Sequence, residues 1–208
     1  MKTSKMIMLL ISLVLPVLLC SCGAVGIEKA KYTVVQKEGA FEIRQYQSLI
    51  IAETVVDADF NDAGNVAFGR LFKYISGNNR RQESIAMTAP VNQTADSEKI
   101  AMTAPVNQQK SEGKYAVSFV MPSKYTLATL PEPLNAAVVI KEIPAHKAAV
   151  VRYSGTWSQK RYEEKKASLE EFIKKKGLVS TGEPIFARYD PPFQVWFLRR
   201  NEVLIAVE

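Results

Sequence analysis

Phe41-Glu42-Ile43-Arg44-Gln45-Tyr46 alternates apolar and polar side chains, Leu49 to Val56 is a denser apolar run, and Phe68, Leu71, Phe72 and Ile75 then fall at i, i+3, i+4 and i+7. The first run predicts a half-buried strand, and the second a strand covered on both faces. The third predicts a helix with one apolar stripe. Asp62 is placed to cap that helix, Lys73 lies in its last turn where a cation suits the dipole, and Gly77 supplies the stop. Tyr32 to Val35 reads as a strand before this block, and Asn78 to Gln82 as a basic, polar loop after it.

Further along, the same order returns. Val138 to Ile140 and Ala148 to Val151 read as strands joined through Pro144-Ala145-His146. Ser158 caps a second helix whose inner stripe is Tyr162, Leu169, Phe172 and Ile173, with a stop at Gly177. Lysines and glutamates alternate over its outer face, which is solvated. Ile185 to Tyr189 and Val203 to Val207 close the chain as strands. Two halves of strands around one helix predict a duplicated α+β domain of about eight strands and two helices around one shared core. Inside the first half, Ile85 to Gln93 recurs without change as Ile100 to Gln108. The two copies form either a hairpin or one strand with its copy in a loop.

Composition narrows the function. The chain has 208 residues, 27 Lys+Arg against 21 Asp+Glu, and 47% hydrophobic residues, which excludes a disordered chain. Two Cys and one His are too few for a zinc cluster, so no structural metal is expected. There is no GxxxxGK loop and no GxSxG elbow. Asp57, Asp59 and Asp62 lack the spacing of a calcium loop. No nucleophile–base pair appears, so no catalytic residue and no enzyme is predicted. Glutamates interleaved with the lysines argue against nucleic acid as a partner.

The N-terminus reads as an address. Lys2 and Lys5 precede an apolar run from Met6 to Cys20 that is too short to span a membrane. Leu19-Cys20-Ser21-Cys22 resembles a bacterial lipobox, which gives a signal peptide over residues 1–21, a lipidated Cys22 with a tether over 22–31, and one domain over 32–208. An ordinary secretory signal cut near Gly23 is the alternative. Lipidation would hold the protein to a membrane of the bacterial cell envelope. Gly23 rather than Asp after the Cys favours the outer membrane.

Phe41-Glu42-Ile43-Arg44-x-Tyr46, Tyr74-Ile75-Ser76-Gly77-x-Asn79 and Met87-Thr88-Ala89-Pro90-Val91 together resemble the SOUL family, also called the haem-binding protein family. Phe119-Val120-Met121-Pro122, Leu130-Pro131-x-Pro133, Ser154-Gly155, Tyr189-Asp190-Pro191-Pro192 and Arg199-Arg200-Asn201-Glu202-Val203 extend the match, in the family's order, over nearly the whole mature chain. The resemblance implies a distorted antiparallel β-barrel with two flanking helices, built from two βαββ-like halves. It also implies reversible, non-covalent binding of haem or another tetrapyrrole, in a groove along the first helix. Matching positions are Phe68, Phe72 and Lys73, beside Leu71, with Arg80 and Arg81 as further cations for propionates. His146 is the sole His and lies between strands, and Met87, Met102 and Met121 read as packing. Binding without a strong axial ligand follows, as carrier, buffer or scavenger. Tyr153, Tyr189 and Arg188 are further candidates for lining a pocket. The alternatives are a module for another apolar or amphipathic small molecule, or an envelope interaction protein with no ligand.

Overall fold

The computed structural model describes residues 27–81 and 97–208. Cys22, the apolar leader and the first repeat copy with Met87 lie outside them. Thirteen strands are described: β1 (Glu28–Lys29), β2 (Tyr32–Glu38), β3 (Phe41–Tyr46), β4 (Leu49–Val56), β5 (Asn79–Arg80), β6 (Thr103–Ala104), β7 (Val106–Ser111), β8 (Lys114–Val120), β9 (Glu132–Pro133), β10 (Val139–Ile143), β11 (His146–Tyr153), β12 (Ile185–Arg188) and β13 (Asn201–Ala206). Helix α1 (Phe60–Ile75) follows β4, and α2 (Gln159–Lys175) follows β11.

Nine strands form one curled antiparallel sheet in the order β10-β4-β8-β7-β12-β13-β11-β3-β2, a half-barrel flanked by two helices. The α+β architecture is the predicted one, the expected eight or so strands being nine in the main sheet. Alternation sorts the side chains. Ala52, Val117 and Phe119 pack under α1, while Ala149, Val151, Phe186, Val203 and Ile205 pack under α2. On the helix side of the sheet the core is therefore two clusters, one per helix, rather than one shared core. Phe60 at the start of α1 belongs to the α2 cluster, and Tyr115 packs against both. A third cluster, including Tyr46, Val150, Tyr189 and Leu204, fills the opposite face of the sheet, which the curl closes upon itself.

Several local expectations shift. Asp59, not Asp62, caps α1: its carboxylate accepts from the backbone N–H of Asn61 and of Asp62 at 2.9 and 3.0 Å. The loop after α1 contains the short strand β5, paired with β9. The second repeat copy enters the sheet. Ile100 is buried under α1, Thr103–Ala104 pairs in parallel with β1, and Val106 to Gln108 begins β7 after a cis Ala104–Pro105 bond. Among the described residues, no helix is long and apolar enough to cross a membrane.

Candidate functional site

Helix α1 buries a narrow face made largely of small residues: Ala63, Gly64, Ala67, Leu71, Tyr74 and Ile75. Leu71 is completely buried and offers no surface to a ligand. Tyr74 fixes the helix end by donating its hydroxyl to the carbonyl of Pro131 at 2.7 Å. Phe68 and Phe72 stand on the shoulder of this face, 38% and 47% exposed. Their rings lie 5.7 Å apart and within 11° of parallel, and Phe68 also meets Phe119 edge-on at 5.4 Å. The two phenyl rings thus form an exposed, flat apolar shelf.

The predicted cations divide. Lys73 is exposed and has no ion pair among the described residues. Arg80 faces Glu132 at 3.9 Å, and Arg81 faces Glu98 at 3.7 Å. Both pairs are solvent-exposed and therefore weak.

One turn before Phe68, α1 carries Gly64, and the gap left by its missing side chain is filled by Arg188 of β12. A Cβ at Gly64 would collide with the guanidinium. Alternation along Ile185–Arg188 puts Arg188 on the helix side of the sheet, in phase with buried Phe186. The ring of Trp157 lies 5.4 Å from the guanidinium and that of Phe186 lies 5.7 Å from it. Nη2 donates to Oε1 of Gln108 at a long 3.4 Å. Gln108 is itself fixed, because its amide N–H₂ donates to the carbonyl of Phe60 at 2.8 Å. Burial pulls the Arg188 pKa down to about 10.

Trp157 carries a second arginine, Arg199, at 4.5 Å, and donates its indole N–H to Asn201 at 2.9 Å. Just before Arg199, the chain makes a 3₁₀ turn over Trp196–Leu198. Phe193, Val195, Trp196, Phe197 and Leu198 all project into solvent, Phe193 with 86% of its surface exposed. Of the predicted set, Phe68, Phe72 and Lys73 are exposed on α1 and Leu71 is buried beneath it, while Arg80 and Arg81 lie beyond its end. Arg188 is bounded by Gly64 of α1, Phe186 and Trp157, and Trp157 also carries Arg199.

The other face of the sheet is also concave. A groove of about 640 Å³ opens between Lys29 and Lys31 near the start of the chain, Leu49 of β4, and Met121, Tyr125 and Leu127 beyond β8. A smaller recess of about 130 Å³ adjoins it, lined by Tyr46, Glu53, Ile143, His146 and Tyr189. His146 stacks on Tyr46 at 5.3 Å with its Nδ1 2.9 Å from the carbonyl of Pro144, on the face away from α1. Among the described residues, no three His, Cys, Asp or Glu side chains converge to hold a metal ion. No residue of α1 lines either hollow.

Comparison with known proteins agrees with this architecture. A family model described as SOUL heme-binding protein matches residues 27–206. Heme-binding protein 2 of Mus musculus is 26% identical over 183 residues, covering 84% of this chain and 85% of that protein. Heme-binding protein 1 of Xenopus tropicalis is 26% identical over 178 residues, covering 80% and 87%. Among solved structures, the C-terminal domain of EcmrR superposes with a TM-score of 0.55 at 12% identity, over 85% of this chain and 98% of that one. An uncharacterized conserved protein from Listeria innocua gives 0.52 at 12% identity, over 81% and 92%. At these identities the two structures speak for the fold alone.

Proposed function

The chain belongs to the SOUL haem-binding protein family, and from that premise we propose that it binds haem or a related tetrapyrrole on the exposed shoulder of α1, without chemical conversion. The observation that carries this reading is the parallel, solvent-facing pair Phe68 and Phe72. A tetrapyrrole needs a flat apolar surface and cations at its edge. Two parallel, solvent-facing rings supply an apolar face for offset stacking. Lys73 and Arg188 supply cations on either side of them. Arg80 and Arg81 are tied, though weakly, to carboxylates. His146 lies across the sheet, and Met102 and Met121 pack against the α1 core. Haem iron therefore gains no strong axial ligand from these groups, and metal-free porphyrin binds comparably.

The leader and Cys22 extend the proposal to a lipid-anchored protein of the bacterial envelope, held at the outer membrane and acting as carrier, buffer or scavenger. Titrating the purified protein with haem and with protoporphyrin tests the binding. Both should saturate at micromolar ligand, and Phe68→Ala should weaken both more than His146→Ala does. Absence of saturable binding rejects the reading. Replacing Cys22 with Ser should release the protein from the membrane fraction, and retention would refute the anchor.

The groove of about 640 Å³ on the other face favours a second reading, a module for a different amphipathic small molecule, because its volume lies within the usual range for small-ligand sites. Binding that ignores Phe68→Ala but is lost on Leu127→Asp, at an exposed residue of the groove, would support this reading over the first.

A further inference from the structure

We propose that Arg188 is a receptor for a carboxylate of the molecule bound on α1, so that the site selects flat apolar ligands bearing an acid about one helical turn from the ring system. This inference rests on the α1 reading above.

A guanidinium has five N–H donors and no acceptor. Arg188 uses one of them, in a single long bond to Gln108, and no carboxylate pairs with it among the described residues. Trp157 and Phe186 supply only ring faces. A charge kept partly out of water without a counterion is costly. Here that cost is built in, because Gly64 clears the space for the guanidinium and buried Gln108 holds an oxygen against it. Part of the residue still reaches solvent, so an anion can approach. The guanidinium N–H groups that Gln108 leaves free are those a bidentate carboxylate would take.

The position relative to the rings then sets the ligand. Gly64, Phe68 and Phe72 follow one another at i, i+4 and i+8 along one ridge of α1, which spans about 12 Å at 1.5 Å per residue. A planar molecule lying on Phe68 and Phe72 brings an edge substituent toward Gly64, where Arg188 waits. A tetrapyrrole propionate meets this requirement, and so does the acid of a smaller fused-ring molecule. An ester or a cationic analogue of the same rings does not.

Protoporphyrin IX and its dimethyl ester share one ring system and differ in their two acids. Titrated against the native protein, the diacid should bind about tenfold or more tighter than the diester. In Arg188→Gln the diacid should lose most of that advantage, keeping at most the share that Lys73 supplies, while the affinity of the diester stays unchanged. Gly64→Ala displaces the guanidinium without removing its charge, and should reproduce part of that loss in a protein whose melting curve confirms folding. Equal affinities for diacid and diester in the native protein would overturn the proposal while leaving the α1 shelf intact. So would an Arg188→Gln variant that weakens both ligands equally, since that marks a structural role. If neither porphyrin binds, the α1 reading fails, and the receptor is judged by benzoate titration in a Trp196→Phe background, where Trp157 is the remaining tryptophan. A saturable change in Trp157 fluorescence that vanishes in Arg188→Gln supports an anion receptor, and a flat response refutes it.

Discussion

Arg44 and Arg188 are set into the same sheet, one on each face, and the fold treats them in opposite ways. Arg44 is 1% exposed, on the face away from the helices. Its two terminal nitrogens donate to the Glu202 carboxylate at 2.8 and 2.9 Å, and its Nε donates to Glu42 at 2.8 Å. Tyr46 accepts a further bond at 3.0 Å, and the Tyr32 ring lies 4.2 Å from the charge. Glu202 in turn accepts from Tyr189 and Arg200. Burial alone would raise the Glu202 pKa, but the bonds and charges of Arg44 and Arg200 outweigh it and hold the group below the ordinary carboxylate range. Arg188, on the helix face, has one amide oxygen and two rings. A buried cation closed on all sides stabilises a fold. One left open is available to a ligand.

The largest effect should come from breaking the closed site. Arg44→Met leaves Glu202 buried without its fork, which costs about 3–5 kcal/mol and lowers the melting temperature by about 10 °C. Arg188→Met removes a charge that no carboxylate balances, and should change stability by less than about 1 kcal/mol in either direction. Thermal melts of the two variants side by side decide the matter. Comparable losses would erase the distinction between the two arginines.

Acid attacks the same site without mutation. Because the folded-state pKa of Glu202 is depressed, its contribution is complete above the unfolded-state pKa and is lost as pH falls through the ordinary carboxylate range toward the lower folded value. Urea midpoints taken from neutral pH down to about pH 3 should fall, and fall less in Arg44→Met, where Arg200 is the one guanidinium left to hold the carboxylate down. An identical acid limb in both proteins would show that other carboxylates dominate.

A smaller effect sharpens the open site. An alanine in a helix interior is favoured over glycine by about 1 kcal/mol. At Gly64 that gain is opposed by the guanidinium it would displace. Gly64→Ala should therefore be nearly neutral in the native protein and stabilising in Arg188→Met. The coupling in this double-mutant cycle measures how firmly Arg188 is seated. Additive changes would mean that the side chain swings away freely.

Much of this framework was legible from period alone. Alternation located β3, dense apolar runs located β4 and β13, and the helical stripes located α1 and α2. Arg188 was also within reach, since it stands in phase with Phe186, and a strand charge on the buried side signals a special environment. Other features were hidden for physical reasons. Alternation in Phe41 to Tyr46 predicts a solvated Arg44, but the sheet curls and Tyr32, Tyr46 and Tyr189 cover that face. The stripe through Phe68, Leu71, Phe72 and Ile75 counts large residues, whereas α1 packs largely through Ala63, Gly64 and Ala67, which rotates both phenyl rings to the shoulder. Asp59 and Asp62 are equally good caps by type, so the choice depends on where β4 releases the chain. The groove beneath Met121 and Leu127 draws on segments far apart in sequence and leaves no local signal.

Another small structural effect should belong to the shelf itself, and there the contrast between closed and open sites becomes a contrast between rings. Tyr32 covers Arg44, lies tilted against Tyr46 at 5.2 Å and accepts a hydrogen bond from Arg200, so its removal opens the closed network. Phe68 lies one turn from Gly64 and the guanidinium of Arg188, part of its ring in water, with Phe72 and Phe119 as its ring partners among the described residues. Truncating this half-buried ring forfeits only part of the burial of a core phenylalanine, so Phe68→Ala should cost about 1 kcal/mol in urea unfolding. The same change removes half of the flat surface offered to a tetrapyrrole, and should weaken protoporphyrin binding severalfold. Loss of affinity with stability preserved is the pattern of a binding surface. Loss of stability with affinity preserved would return Phe68 to the core and leave Arg188 without a ring system beside it.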